Sequence, residues 1–168
     1  MPDAISGYYY TVMGGVFVGS LCSIGVFLLS AKGYDKWDRI LGCAGSVFAN
    51  GVALFPTNPK HGTPAQEFIG TYVHPACATA LFLILAFFCL FLFTKTGPAN
   101  RPTRQKRERN IVYRVSGSTI LACMALIGLH AIAGIWTFPH WLFWYESIAI
   151  FAFGFAWLIK GEFLLKDK

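Results

Sequence analysis

Three polar side chains lie inside long apolar stretches of this sequence. Glu146 is the only acidic residue well inside such a stretch, and His130 and Asn50 are the only His and Asn in that position. An ionised group at the centre of a bilayer costs about 2.5–3.5 kcal/mol on insertion scales, and a Glu that is protonated or paired avoids part of that cost. These three residues are therefore the first candidates for chemistry.

The candidates fall at similar distances from the ends of their stretches. With a helix rise of about 1.5 Å per residue, each lies roughly 10 Å below the same membrane surface, in one polar layer. Thr79 lies slightly nearer that surface, and two further His lie above the layer on the same side. The predicted polar cluster in the outer half of the protein consists of Glu146, His130, Asn50, Thr79, His74 and His140.

Two interpretations of this cluster use the side chains in different ways. In the first, Glu146 and His130 form an interhelical hydrogen bond, together with Asn50, and lock the helices together. In the second, the cluster is a metal or hydrolytic site whose ligands or acid–base groups are His74, His130, His140 and Glu146. No two His have i,i+3 or i,i+4 spacing, so metal ligands would have to come from different elements.

A third interpretation is a site for a ligand, a proton or a pigment. His130 lies between Gly128 and Gly134, which leaves room for a flat ring against the helix. A single His in a helix can hold the metal of a haem or chlorin axially. The residues leave all three interpretations open, and they specify neither haem, chlorin nor zinc.

Five apolar blocks must position these side chains. Of the 168 residues 55% are apolar and only 13% are charged, which excludes a disordered chain and argues against a soluble domain. A membrane span needs about 20 apolar residues and has to be helical, because lipid offers the backbone no hydrogen-bond partners. We predict an all-α polytopic transmembrane helix bundle, one domain over residues 1–168, with spans at about 10–30, 40–56, 76–94, 115–137 and 141–159.

The basic residues predict the orientation of this bundle. All of the 14 Lys and Arg except Lys60 lie in three segments, 31–39, 95–114 and 160–168, which five spans place on one face. The positive-inside rule makes that face cytoplasmic, with the N-terminus outside. The richest segment enforces this topology, or it contacts anionic lipid or an acidic partner through Arg101, Arg104, Lys106, Arg107 and Arg109.

Small residues recur at four-residue spacing in the first two spans. Such stripes let helix backbones approach closely, within one chain or between subunits. We expect packing within the chain, and contact with another subunit is the alternative. The stripes are Gly15, Gly19 and Ser23 in the first span, and Gly42, Ser46 and Asn50 in the second.

Familiar enzyme motifs do not occur in this sequence. It has no GxSxG elbow, P-loop, HExxH or dinucleotide-binding glycine pattern, which removes the common mechanisms of soluble enzymes. The five Cys lie inside the spans without a CxxC pair, so a structural zinc or iron–sulfur site is not expected.

Several short motifs resemble those of a known family. The runs ISGYYYT, GVALFPT, FWYE and WLIKGE are similar to motifs of uncharacterised bacterial inner-membrane proteins, the domain-of-unknown-function 998 group. The resemblance covers nearly the whole chain and implies five spans in a bacterial inner (plasma) membrane. It matches a family carboxylate to Glu146 and a His at the start of the third span to His74, but it implies no reaction. Members often carry an Arg-Asp pair where this chain has Gly14 and Gly15.

Taken together, these patterns predict a small integral membrane protein with a non-catalytic role. It would be an accessory or structural subunit that contacts the lipid bilayer and other membrane subunits or a second copy of itself. The alternative is a membrane-embedded enzyme, or a ligand-, metal- or pigment-binding protein, whose polar site contains His130, Glu146 and Asn50. Nucleic acid is not an expected partner, because the basic residues lie between apolar blocks.

Overall fold

The helical prediction is confirmed by a computed structural model, which describes residues 2–30, 36–58, 62–96, 103–134 and 138–161. Every regular element within these ranges is a helix. A 3-10 helix spans Ile5–Tyr10, and it is followed by α1 (Gly14–Ser30), α2 (Lys36–Leu54), α3 (Pro64–Phe68), α4 (His74–Phe87), α5 (Arg104–Ala133) and α6 (Trp141–Lys160). Two π-helical turns, Ile69–Val73 and Phe88–Leu92, extend α4 at its two ends.

Three of the described helices are long and apolar enough to cross a membrane. They are the continuous helix Pro64–Leu92, α5 and α6. Helix α1 is also apolar but has only 17 residues. Helix α2 has 19 residues and begins with the polar run KWDR, which lowers its apolarity. Length and composition thus indicate a helical membrane protein.

The continuous helix Pro64–Leu92 begins earlier than the predicted span 76–94. Thr63 forms a capping box with Gln66: the Thr63 side chain accepts from the Gln66 N–H, and the Gln66 side chain accepts from the Thr63 N–H at 2.8 Å. Pro64 follows in the first helical turn, where its missing N–H costs nothing. This polar start lies between the second and third predicted spans, and the helix continues from it into the apolar stretch.

Helix α5 differs from the predicted span 115–137 at both ends. Thr103 caps its N-terminus by accepting a hydrogen bond from the Lys106 N–H at 3.0 Å, so basic residues expected in a loop are helical. At the other end Gly134 adopts φ 60°, and its N–H bonds the His130 carbonyl at 2.9 Å. This left-handed conformation favours Gly and stops the helix although apolar residues continue.

Contacts divide the chain into two compact units. The first holds α1, α2, the helix from Pro64 to Ile84, and residues 138–143. In this unit α1 and α2 pack closely: a Cβ on Gly42 would lie 2.7 Å from the backbone oxygen of Leu28. Gly25 faces Asn50 in the same way, with 2.7 Å between its would-be Cβ and Asn50 Nδ2.

The two predicted stripes of small residues have different environments. The α2 stripe lies in the α1–α2 contact, because Gly42 and Ser46 are buried and Asn50 faces α1. The expectation of packing within the chain is therefore confirmed for α2. It is not met for α1: Gly15 and Gly19 are exposed, and no atom of the described residues lies within 4 Å of where a Cβ would stand.

The second unit, from Leu85 onward without residues 138–143, has an aromatic core. Phe93 is 3% exposed, and its ring centroid lies 5.5–6.2 Å from those of Tyr113, Phe153 and Trp157. Edge-on and stacked ring pairs at such distances contribute stability beyond the area they bury. These contacts join the end of the helix Pro64–Leu92 to α5 and α6.

The α1–α2 contact makes a testable prediction about Gly42. A methyl group there meets a backbone oxygen, which cannot rotate away, so the two helices must separate. We expect Gly42→Ala to lower the free energy of unfolding by about 1–3 kcal/mol, measured in mixed detergent micelles. Gly19→Ala is the matched control, since its methyl group enters open space; an equal loss in both variants would contradict the packing argument.

Candidate functional site

His74 holds the start of α4 against the end of α2. Its side chain is 6% exposed, and Nδ1 lies 2.7 Å from the backbone oxygen of Phe55, just after the last residue of α2. A carbonyl only accepts hydrogen bonds, so Nδ1 carries the proton that is donated. His74 thereby satisfies one of the carbonyls that a helix C-terminus leaves without an intrahelical partner.

Asn50 is engaged within the α1–α2 contact. Its Nδ2 donates to the backbone oxygen of Ser46 at 2.8 Å, and the amide lies beside Gly25. The side chain is therefore directed along its own helix and into the neighbouring one. Thr79, another member of the predicted cluster, is exposed on α4.

His140 makes a different contact, with the N-terminal segment. Its Nδ1 lies 3.0 Å from Oδ1 of Asp3, which is ion-pair distance, but the atoms lack hydrogen-bond alignment. The Asp3 backbone oxygen also accepts from the Phe143 N–H at 3.0 Å. His140 itself adopts φ 57°, which is uncommon for a residue with a Cβ. These contacts fasten the segment before α1 to the first turn of α6.

His130 and Glu146 lie near helix ends in the second unit. His130 is in the last turn of α5, three residues or about 4.5 Å along the helix axis from Ala133, the last residue of the helix. It lies this close to the helix end because Gly134 ends α5 before Thr137, the predicted end of the span. Glu146 lies in the second turn of α6. Both residues are half-buried, and neither is without an interaction partner.

The predicted metal ligands lack the grouping that a metal site needs. Among the described residues, which include His74, His130, His140 and Glu146, no group of three or more His, Cys, Asp or Glu side chains is placed to hold a metal ion. Within the first unit, His74 is directed at a backbone carbonyl and His140 at Asp3.

The basic residues at the start of α5 separate into two groups. Lys106 Nζ donates to the Phe93 backbone oxygen at 2.7 Å and lies 5.5 Å from the centroid of the Tyr113 ring. Arg109 is 6% exposed and is also engaged within the chain. Both therefore have structural roles that sequence spacing does not reveal, since Lys106 and Phe93 are 13 positions apart.

The other basic residues remain at the surface. Arg104 is exposed and pairs with Glu108, with 3.1 Å between Nε and Oε1, and Arg107 is exposed. Arg114, which was not among the predicted contact residues, is exposed as well. Arg101 lies outside the described residues.

The His74 contact makes a second prediction. His74→Ala leaves the Phe55 carbonyl without its donor, and we expect a loss of about 1–3 kcal/mol in the free energy of unfolding. His74→Asn should retain much of the stability, because Asn Nδ2 can take the place of the ring Nδ1. Thr79→Ala, at an exposed position of the same helix, should change stability by less than about 0.5 kcal/mol. Equal losses in the Ala and Asn variants would show that ring packing, not the hydrogen bond, is what matters.

Comparisons with known proteins complete the description of these residues. Neither family models, nor curated proteins, nor solved structures match this chain.

Proposed function

We propose that the protein is a five-span integral membrane protein of a bacterial inner membrane, with its N-terminus outside, and that it acts as a non-catalytic structural or accessory subunit. The three long apolar helices supply three spans. Helices α1 and α2, with 17 and 19 residues, are about 25 and 28 Å long, close to a hydrocarbon core of about 30 Å. Their mutual packing supports counting them as a pair of neighbouring spans.

The exposed surface of α1 supports its place in lipid. Val16, Val26 and Phe27 are 58–61% exposed and form one apolar face, within about 100° around the helix axis. Apolar side chains distributed in this way are favourable in lipid and unfavourable in water. The paired helix α2 begins with the exposed Lys36 and Arg39, which suit an inner boundary.

The observation that carries the non-catalytic role is that one buried and one half-buried polar side chain donate hydrogen bonds to backbone carbonyls. His74 donates to the carbonyl of Phe55, and Asn50 donates to that of Ser46. Both side chains complete a helix terminus or a helix–helix contact and thereby stabilise the fold, which suits a structural subunit.

Association with a further membrane helix agrees with the uncovered stripe on α1. Gly15 and Gly19 leave open space beside the helix, with no described residue near their would-be Cβ atoms. Without a side chain at these positions another helix backbone can approach closely. The occupant would be another membrane subunit or a second copy of the chain.

Topology can be tested with single cysteines at two exposed helix starts. In a background whose five native cysteines are replaced by Ala, Gln66→Cys lies on α3 and Arg104→Cys at the start of α5. We expect a membrane-impermeant maleimide to label Gln66→Cys on intact cells, and Arg104→Cys only after permeabilisation, because the positive-inside rule places Arg104 in the cytoplasm. Labelling of Arg104→Cys on intact cells would contradict the proposed orientation.

The role within an assembly is tested by adding bulk to the uncovered stripe. Gly19→Leu should leave the fold intact but reduce the apparent mass of the native complex on blue native gels, because it blocks close helix approach. Leu29→Phe is the control, as it adds bulk at an exposed site of α1 outside the stripe. Unchanged complex mass in Gly19→Leu, or equal effects in both variants, would contradict association through this face.

Thermal stability, metal content and the absorption spectrum of the purified protein test the alternative function, a polar site built on His130, Glu146 and Asn50. A structural role predicts that Glu146→Gln lowers thermal stability without changing metal content. Stoichiometric zinc or iron, or a haem or chlorin absorption band, that disappears in Glu146→Gln would overturn the non-catalytic proposal.

A further inference from the structure

Helix α5 presents two opposite faces over its first three turns. At 3.6 residues per turn, Arg107, Ile111 and Arg114 lie on one face, whereas Lys106, Arg109 and Tyr113 lie on the other. The second face is inward: Tyr113 is buried at 1% exposure, and Lys106 and Arg109 are engaged within the chain. The first face is exposed, with Ile111 63% accessible.

The exposed face carries positive charge that the described part of the chain does not neutralise. The side chains of Arg107 and Arg114 make no hydrogen bond or ion pair with any described residue. Glu108, the one acidic residue in the sequence of α5, already pairs with Arg104. The backbone positions of these two Arg are about 10 Å apart along the helix axis, and the exposed Ile111 lies between them on the same face.

The same face continues into the apolar part of α5. Val115 is 60% exposed, and Ser118 and Leu121 follow on this side of the helix. In a bilayer, acyl chains adjoin the lipid phosphates. A surface that has exposed apolar side chains next to unpaired guanidinium groups can contact both parts of the lipid. Guanidinium groups bind phosphate through two parallel hydrogen bonds, and long Arg side chains reach along the surface to do so.

We propose that Arg107 and Arg114, with Ile111 between them, bind the phosphate groups of anionic phospholipids in the inner leaflet. The proposal rests on the membrane topology above and names the lipid class that this surface recognises. The combination of apolar and cationic groups favours a lipid over a soluble acidic protein, since Ile111 and Val115 are then covered by acyl chains. Lys106 and Arg109, which sequence analysis grouped with this surface, take no part because they face inward.

Native mass spectrometry of the full-length protein tests the proposal. The protein is released from nanodiscs that contain equal amounts of phosphatidylglycerol and phosphatidylcholine, and the retained lipids are counted. We expect the wild type to retain phosphatidylglycerol preferentially. The double variant Arg107→Gln, Arg114→Gln should bind it roughly 10- to 30-fold more weakly, because each Arg near an anionic surface contributes about tenfold or less.

Two controls separate this site from general charge. Lys36→Gln with Arg39→Gln removes the same charge from exposed residues of α2 and should leave most of the preference intact. Replacing Arg107 and Arg114 by Lys keeps the charge but loses the two-bond geometry, so binding should be intermediate. All four positions are exposed, and circular dichroism confirms that each variant is folded.

Several results would overturn the proposal. They are equal retention of the two lipids by the wild type, equal loss in the α2 control and the double variant, and displacement of the lipid from this face by a soluble acidic partner. Nanodiscs expose both leaflets, so lipid preference is measured independently of orientation in the cell. A reversed topology in the labelling experiment would therefore refute the proposed function without removing the lipid site. Likewise, a loss of the lipid preference would refute the lipid site without changing the proposed topology.

Discussion

The constraint on which this structure depends is that hydrocarbon offers polar groups no water. A backbone carbonyl near a helix end costs free energy unless another part of the protein supplies a donor. At the end of α2, His74 donates to the carbonyl of Phe55. At the end of the helix Pro64–Leu92, Lys106 donates to the carbonyl of Phe93. Both donors come from a different helix, so satisfying the termini also joins helices together.

Hydroxyl groups within the helices follow the same constraint. Ser23, Ser30 and Thr94 each donate to a carbonyl four residues earlier, so their side chains are satisfied by their own helix. Asn50 does the same through its amide while it contacts α1. A polar residue in an apolar helix is thus weak evidence of chemistry until its hydrogen-bond partner is known.

Neighbouring basic residues on α5 have different environments, because a helix places them on opposite faces. Along the sequence Lys106, Arg107 and Arg109 look equivalent, but helical periodicity turns alternate members toward opposite sides. One side becomes part of an aromatic core in which Lys106 lies over the ring of Tyr113. The other keeps Arg107 and Arg114 exposed, where they can contact groups outside the chain.

The sequence by itself determined the helical class, the long apolar helices and the α2 stripe, because composition and periodicity express how each segment meets lipid or a neighbouring helix. It did not determine that Gly134 ends α5 early, because a left-handed glycine within an apolar run looks like continuing helix. Only the tertiary structure decided which small residues are covered and which polar groups are engaged. The stripes of α1 and α2 look alike in sequence, but Leu28 closes over Gly42 while nothing described lies beside Gly19. Such differences depend on the distance between helices, and local sequence patterns do not encode that distance.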